Sequence, residues 1–437
     1  MKIIESMKSK LFFLVLTTII IPFHLIAQTE DWFKKGLDAK DQKTKVEYYT
    51  KYIQTHGPTK FVYLNRGIAK RNLKDYEGAL SDFSMAIELD PQYSKGYFQR
   101  GLTKSQLNDY KNAIPDYSRA IEIDSNDARV YHERGCAKIG IKDYQGAILD
   151  LTKSMILDPK VPTTYYNLGL AKSRLLDYQG AQMNYSKAIE LYPNYDNAYC
   201  NRALVKEKLK DYQGALTDIS KAIELVPQFH NYYHNRGNIK NSLHDYQGAL
   251  SDFAKAIELE PNSFSSYIGR AQVKKAMKDY QGAISDYSKA LDQDPDKSNF
   301  LSYYQGLSEI YILQNNYPAA IEICKKELLI NTNDPGLLDN LGFNFLAIGD
   351  YDEAIKQFNL CLKVEVNTVK VDAIIGLSLA YYYKNDKQHA EQELAKAKLL
   401  KPVLKKGMEG LQEFTNEGFS YSDKDTETLK KMFGEFK

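Results

Sequence analysis

Cysteine is scarce in this chain, with four residues among 437. Cys136, Cys200, Cys324 and Cys361 are widely spaced and form no CxxC pair, so we expect free thiols and no disulfide framework. An excess of one charge is also lacking, because 58 basic residues are balanced by 56 acidic ones, for a formal net charge of +2. This balance gives no electrostatic footprint for nucleic acid, and binding to nucleic acid is not expected.

Catalytic and phosphate-binding signatures are missing as well. The sequence contains no P-loop, no dinucleotide-binding glycine fingerprint, and neither GxSxG nor HExxH. Its seven histidines are scattered along the chain, whereas the ligands of a metal must converge. We therefore predict that the protein is not an enzyme and has no cofactor and no metal site.

Long hydrophobic runs are absent except near the beginning of the sequence. Within residues 1–28, three lysines precede an apolar run over 11–26, and the segment ends in LIAQ. This pattern predicts a secretory signal peptide cleaved after Ala27 or Gln28. An uncleaved membrane anchor is the alternative and the only membrane contact we expect, although the run is short for a bilayer-spanning helix. The expected location is the periplasm or the outer envelope, with secretion as an alternative.

An Asp-Tyr pair recurs every 34 residues through most of the chain, with its aspartate at Asp75, Asp109, Asp143, Asp177, Asp211, Asp245 and Asp279. Numbering each repeat so that this aspartate is position 16 gives seven gapless repeats over 60–297. Three divergent repeats over 301–404 follow a junction at 298–300. Positions 17, 20, 21, 24, 27 and 28 are mostly apolar or small, which is helical spacing, and a proline closes most repeats. Each repeat is therefore predicted to be a helical hairpin.

The repeat resembles the tetratricopeptide repeat. In the first repeat, the family pattern at positions 4, 8, 20, 24, 27 and 32 is matched by Tyr63, Gly67, Ala79, Phe83, Ala86 and Pro91. The resemblance implies an all-α fold, a right-handed superhelical solenoid of antiparallel helix pairs in which neighbouring hairpins complete each other's core. We expect a degenerate capping helix pair over 29–59 and a C-terminal capping helix over 405–437, because an open solenoid end would expose apolar surface.

Two positions of opposite charge vary together among the repeats. Six repeats have arginine at position 7 and aspartate at position 23, whereas the fourth repeat has Leu168 and Asn184. The predicted pairs are Arg66 with Asp82, Arg100 with Asp116, Arg134 with Asp150, Arg202 with Asp218, Arg236 with Asp252, and Arg270 with Asp286. Since a partly buried arginine without its carboxylate is costly, the covariation predicts a structural pair that joins the two helices of a hairpin.

Position 11 is lysine in all seven gapless repeats, from Lys70 to Lys274, and aromatic in the last three. We expect the stems of these lysines to pack and their ammonium groups to reach solvent. The alternative is a surface for an anionic partner.

In the tetratricopeptide repeat family, positions 2, 5, 9 and 12 of the first helix line a concave groove. These positions are apolar and aromatic early in this chain and more polar in its middle. The predicted partner-binding residues are Phe61, Leu64, Ile68, Phe98, Leu102, His132, Tyr166, Leu170, Asn197, Asn231, His234, Asn238, Asn241 and Lys275. The alternative is that these side chains pack against one another across the inner face.

An extended groove of this kind suits a peptide or protein segment, since apolar pockets provide anchoring and amides bind an extended backbone. The sequence therefore favours a non-catalytic scaffold or adaptor that binds such a segment in a bacterial cell envelope. The alternatives are a chaperone-like docking module and a non-catalytic subunit that recruits substrate to an envelope enzyme complex. The sequence predicts no oligomeric state.

Overall fold

The computed structural model describes residues 32–293, 300–364, 370–407, 409–410, 412 and 422–435. The predicted signal peptide and residues 298 and 299 of the predicted junction lie outside these ranges. Every regular element in the described residues is a helix, and helices pair with their neighbours in sequence, so the predicted all-α fold of antiparallel helix pairs is confirmed. None of the described helices combines the length and the apolar character needed to span a bilayer.

Each repeat contains a first helix, helix A, and a second helix, helix B. In repeats 1 to 4 the two helices are Lys60–Asn72 and Tyr76–Leu89, Ser94–Gln106 and Tyr110–Ile123, Ala128–Gly140 and Tyr144–Leu157, and Pro162–Arg174 and Tyr178–Leu191. In repeats 5 to 7 they are Asp196–Lys208 and Tyr212–Leu225, His230–Ser242 and Tyr246–Leu259, and Phe264–Ala276 and Tyr280–Asp292. In repeats 8 to 10 they are Phe300–Leu313 and Tyr317–Leu328, Pro335–Ile348 and Tyr351–Lys363, and Lys370–Tyr383 and Lys387–Leu400.

Contacts between Cα atoms divide the chain into two compact units, residues 1–227 and 228–437. The N-terminal unit holds repeats 1 to 5, preceded by a helical segment at 32–38 and the helix Gln42–His56. The C-terminal unit holds repeats 6 to 10 and the helix Asp423–Glu435. Leu429 and Met432 of this last helix are buried in one cluster with side chains of repeats 8 to 10.

The recurring Asp-Tyr pair marks the turn from helix A to helix B. Position 15, just before the aspartate, has a left-handed backbone in the described turns of all ten repeats. The aspartate at position 16 then caps helix B: the carboxylate of Asp211, for example, accepts a hydrogen bond of 2.9 Å from the backbone N–H of Gly214. A Cβ atom at Gly214 would lie 2.1 Å from the carboxylate of Asp211, so the glycine allows the closest approach of the cap, whereas the same bond measures 3.2 Å where Glu353 follows Asp350.

A small residue at position 8 of helix A faces a large one at position 24 of helix B in most repeats. A Cβ atom added at Gly169 would lie 2.7 Å from the ring of Tyr185, and one at Gly101 would lie 2.8 Å from the ring of Tyr117. Helices A and B of a hairpin therefore approach closely enough that the ring of one lies on the backbone of the other, as in a close-packed interior.

Candidate functional site

In each of the six predicted pairs, the arginine lies within hydrogen-bond distance of its aspartate. The arginine is on helix A and the aspartate is on helix B of the same hairpin. In repeat 5, Arg202 donates from Nε and Nη2 to the two carboxylate oxygens of Asp218, both at 2.7 Å. The closest arginine-to-aspartate distances in the six repeats are 2.6 to 2.7 Å, and the aspartates are 2 to 4% exposed. This bidentate geometry is the strongest form of side-chain ion pair.

The lysine at position 11 binds the same buried carboxylate, so the expectation that its ammonium group reaches solvent is wrong for six repeats. Lys206 Nζ lies 2.8 Å from Asp218 Oδ2. The corresponding distances from Lys70, Lys104, Lys138, Lys240 and Lys274 are 2.7 to 3.0 Å. A carboxylate has about four acceptor sites, and the arginine uses only some of them, so the ammonium is drawn inward.

The arginine also contacts groups outside its own carboxylate. Arg202 donates from Nη1 to Ser186 Oγ of the preceding repeat at 3.0 Å, and its guanidinium lies 5.5 Å from the ring centre of Tyr199. In repeat 7, burial raises the pKa of the Asp286 carboxyl, but hydrogen bonds from Arg270 and Lys274 outweigh burial and the pKa is lowered. These charges therefore pair with one another within the protein, and most of the surface of their side chains is covered.

Repeat 4 lacks the arginine and the aspartate of the network that positions 7, 11 and 23 form in six other repeats. Leu168 is buried at position 7, and Asn184 at position 23 donates to the carbonyl oxygen of Gly180 at 2.6 Å. Lys172 turns instead to Asp177, at 3.9 Å. The whole network can therefore be exchanged for an apolar and neutral pair within the same fold.

The predicted groove residues of the N-terminal unit differ in their exposure. Phe61 is 53% exposed and makes an edge contact with Tyr93, with 5.8 Å between the ring centres. Leu64 and Phe98 are buried in the packing between helices, so they leave little surface for a partner. Ile68, Leu102 and Leu170 are half-buried.

Several groove positions of the N-terminal unit are hydrogen-bonded to the next helix A. Nδ1 of His132 lies 2.9 Å from Thr164 Oγ1, and Asn201 donates to the hydroxyl of Tyr166 at 2.8 Å. Burial lowers the pKa of His132, so its imidazole is neutral near pH 7. These hydrogen bonds therefore link the A helices of neighbouring repeats. Asn197, at another groove position, is exposed.

In the C-terminal unit the predicted groove residues form polar contacts. Nε2 of His234 lies 3.0 Å from Nδ2 of Asn238, and burial, reinforced by His230, lowers the pKa of His234 to about 4. Lys275 forms an ion pair with Glu309 on the next helix A. Asn231 is exposed and Asn241 is half-buried, so both present amides at the surface.

Cavities lie between successive hairpins at these helix A positions. One of about 240 Å³ in the N-terminal unit is lined by His132, Glu133 and Thr163, among others. Two in the C-terminal unit, of about 360 and 440 Å³, share Gln305 and Glu309 in their walls. Among the described residues, no group of three or more His, Cys, Asp or Glu side chains is arranged to hold a metal ion.

Glu327 lines the largest of these cavities and was not among the residues predicted from the sequence. Glu327 occupies position 27, which is alanine, serine or cysteine in the nine other repeats. That exception was a detectable signal in the sequence, because a charged residue at an otherwise small, buried position requires a compensating partner.

Sequence models of the tetratricopeptide repeat match residues 61–93, 94–127, 162–195, 184–217, 230–263 and 274–342. These ranges together cover more than half of the chain. The chain belongs to the tetratricopeptide repeat family. The matches include repeats of both units, in agreement with the helix pairs described above.

Among curated proteins, this tetratricopeptide repeat protein is similar to the human Serine/threonine-protein phosphatase 5. The two are 37% identical over 73 residues, which is 17% of this chain and 14% of the phosphatase. It is also 35% identical over 74 residues to the Small glutamine-rich tetratricopeptide repeat-containing protein 2 of Saccharomyces cerevisiae, covering 16% of this chain and 21% of that protein. The chain thus matches only about a seventh to a fifth of the length of these relatives.

Similar solved structures include two that are described as tetratricopeptide repeat proteins. The MamA protein is 25% identical, with a TM-score of 0.37, over 40% of this chain and 94% of that one. YrrB, described as a tetratricopeptide repeat protein with an unusual peptide-binding site, is 22% identical, with a TM-score of 0.38, over 42% and 95%. A tetratricopeptide repeat protein from Parabacteroides merdae is 20% identical, with a TM-score of 0.45, over 58% and 98%.

Proposed function

We propose that this tetratricopeptide repeat protein is a non-catalytic scaffold that binds a peptide or protein segment along its helix A faces. The observation that carries the proposal is the contrast between two sets of side chains. The repeated charges at positions 7, 11 and 23 are paired internally in six repeats, whereas the helix A positions 2, 5, 9 and 12 vary and border cavities. Variation along the helix A face of a regular array supports recognition at that face.

The contacts favour a partner anchored by apolar and amide groups over an anionic one. In six repeats the position 11 lysine, which could otherwise attract an anion, is bound to a buried aspartate. Lys275 is bound to Glu309. The exposed ring of Phe61 and the surface amide of Asn231 are groups that a partner could contact. Exposed aromatic rings beside polar groups are typical of binding hot spots.

The scaffold proposal predicts that Phe61→Ala reduces capture of the partner in an affinity pulldown from envelope extract by about tenfold, because loss of an aromatic anchor costs about 1 to 2 kcal/mol. The matched control is Met183→Ala, which removes an exposed apolar side chain of the same unit from helix B instead of helix A. Equal capture by the parent and by Phe61→Ala, or an equal loss with Met183→Ala, contradicts the assignment of the helix A face.

We further propose that the protein acts after export, in a bacterial cell envelope. The proposal rests on the lysines and apolar run of residues 1–28. It predicts that protein purified from an envelope fraction starts near Gln28 or Thr29 when its N-terminus is sequenced. A retained Met1 in that fraction indicates an anchor, and recovery of the protein only from the cytoplasmic fraction contradicts export.

A further inference from the structure

Among the described residues, the lining of the cavity of about 440 Å³ in repeats 8 and 9 includes three carboxylates and no basic side chain. Glu309 stands on helix A of repeat 8, Glu327 on helix B of repeat 8, and Asp334 at the start of helix A of repeat 9. Asp334 is held as a helix cap, accepting from the backbone N–H of Leu337 at 2.8 Å. Glu309 is ion-paired with Lys275.

Glu327 distinguishes this cavity from an ordinary cleft between repeats. Its side chain is 2% exposed, and its Oε2 atom has no hydrogen-bond partner among the described residues. A buried carboxylate oxygen without a partner is costly, and the equivalent position elsewhere holds alanine, serine or cysteine. A residue that costs stability and faces a cavity is expected to serve a ligand.

The cavity belongs to the predicted groove face. Its lining includes groove positions 5, 9 and 12 of repeat 8, occupied by Gln305, Glu309 and Ile312, and groove position 2 of repeat 9, occupied by Gly336. Because Gly336 has no side chain, space remains between the two A helices. A segment that follows the helix A faces would therefore pass this cavity.

We propose that the cavity is a subsite for a cationic side chain of the bound segment, an arginine or a lysine, which pairs with Glu327. This inference rests on the scaffold proposal for the source of the side chain. The volume exceeds that of a bare ion, and Ile312 and Leu337 in the lining offer apolar contact for a methylene stem. A guanidinium provides five donors for the Glu327 oxygen, Asp334 and the amide oxygens of Gln305 and Asn340.

The affinity of the cavity for a cationic side chain is expected to depend on pH, because Glu327 must be ionised to pair with it. Burial, with a smaller contribution from the charge of Asp334, raises the pKa of Glu327 to about 7. The other titratable groups that line the cavity are Glu309, whose charge is paired with Lys275, and Cys324, whose thiol pKa is raised by burial. A cation binds the ionised form of Glu327, so affinity rises with pH across neutrality.

The test uses titration calorimetry of the purified chain with N-acetyl-arginine amide and N-acetyl-lysine amide, with N-acetyl-norleucine amide as the uncharged arm. We expect saturable binding of at least one cationic probe, about tenfold tighter at pH 8 than at pH 6, which follows from a pKa near neutrality. Glu327→Gln is expected to weaken binding by about tenfold and to abolish its pH dependence. The control is Glu322→Gln, which removes an exposed glutamate of the same helix that is paired with Lys326.

A folding measurement accompanies the binding test. Since the folded-state pKa of Glu327 is raised, ionisation of this carboxyl destabilises the fold as pH rises toward neutrality and above. Glu327→Gln is therefore expected to melt at a higher temperature than the parent at pH 8 and near the parent at pH 5. Unchanged affinity in Glu327→Gln, equal binding of the norleucine probe, or no binding of either cationic probe overturns the subsite, whereas the scaffold is tested separately by Phe61→Ala.

Discussion

Asp218→Asn is expected to destabilise the protein by about 3 to 5 kcal/mol, because it leaves Arg202 and Lys206 without the buried charge that both bind. Asparagine keeps the shape of the side chain, so the loss measures charge and hydrogen bonding and not packing. The measurement is urea denaturation of the purified chain, with amide hydrogen exchange in helices Asp196–Lys208 and Tyr212–Leu225 to locate the loss.

Repeat 4 provides the control for this prediction. Combining Arg202→Leu with Asp218→Asn recreates the leucine and asparagine that stand at these positions as Leu168 and Asn184, and much of the stability is expected to return. The exposed Glu224, replaced by glutamine on the same helix, is expected to cost less than about 1 kcal/mol. Losses of the two single variants that simply add in the double variant would refute the pairing.

Phe253→Ala is expected to destabilise the C-terminal unit by about 3 to 5 kcal/mol, because it empties the space between helices A of repeats 6 and 7. The ring is 0% exposed, and Cβ atoms added at Gly237 and Gly269 would lie 3.0 and 2.5 Å from it. His234 meets the ring edge-on, with 5.6 Å between the ring centres. The neighbouring glycines cannot fill the cavity, so the cost is expected to stay near its upper range, as measured by urea denaturation.

Two further variants serve as comparisons for Phe253→Ala. Phe253→Leu is expected to cost much less, since Leu151 fills the equivalent position in repeat 3 against Gly135. Phe61→Ala removes an exposed ring and is expected to change stability by less than about 1 kcal/mol, which also shows that its effect in the pulldown is not a folding defect. Similar losses for Phe253→Ala and Phe61→Ala would mean that the ring of Phe253 is not packed as described.

The repeats allow much of the fold to be predicted because each copy is a comparison with the others. The 34-residue period gives the hairpins, and the helix bounds follow from the position 16 aspartate that caps helix B. The joint change of Arg202 and Asp218 to leucine and asparagine in repeat 4 predicts which side chains meet. Local hydrogen bonding and covariation within one chain are sufficient for these features.

The location of the ammonium group of the position 11 lysine could not be predicted by comparing the repeats. Its sequence pattern is compatible with an ammonium group in solvent or in the interior, and the structure places Lys206 on Asp218. The choice depends on how many acceptor sites the arginine leaves on the carboxylate, which is a matter of three-dimensional geometry. Glu327 is a similar case, since the sequence shows an exception at position 27 but not the cavity beside it.

By itself, the sequence determined the repeat, the helix pairs, the turn and the identity of the charged partners, because these depend on contacts within one hairpin or between adjacent ones. Only the tertiary structure decided which helix A residues remain accessible: Phe61 is exposed, whereas Leu64 and Phe98 are buried. All three occupy groove positions of the same repeating pattern. Exposure differs because it depends on the sizes of the side chains that neighbouring helices bring alongside, which a periodic pattern does not contain.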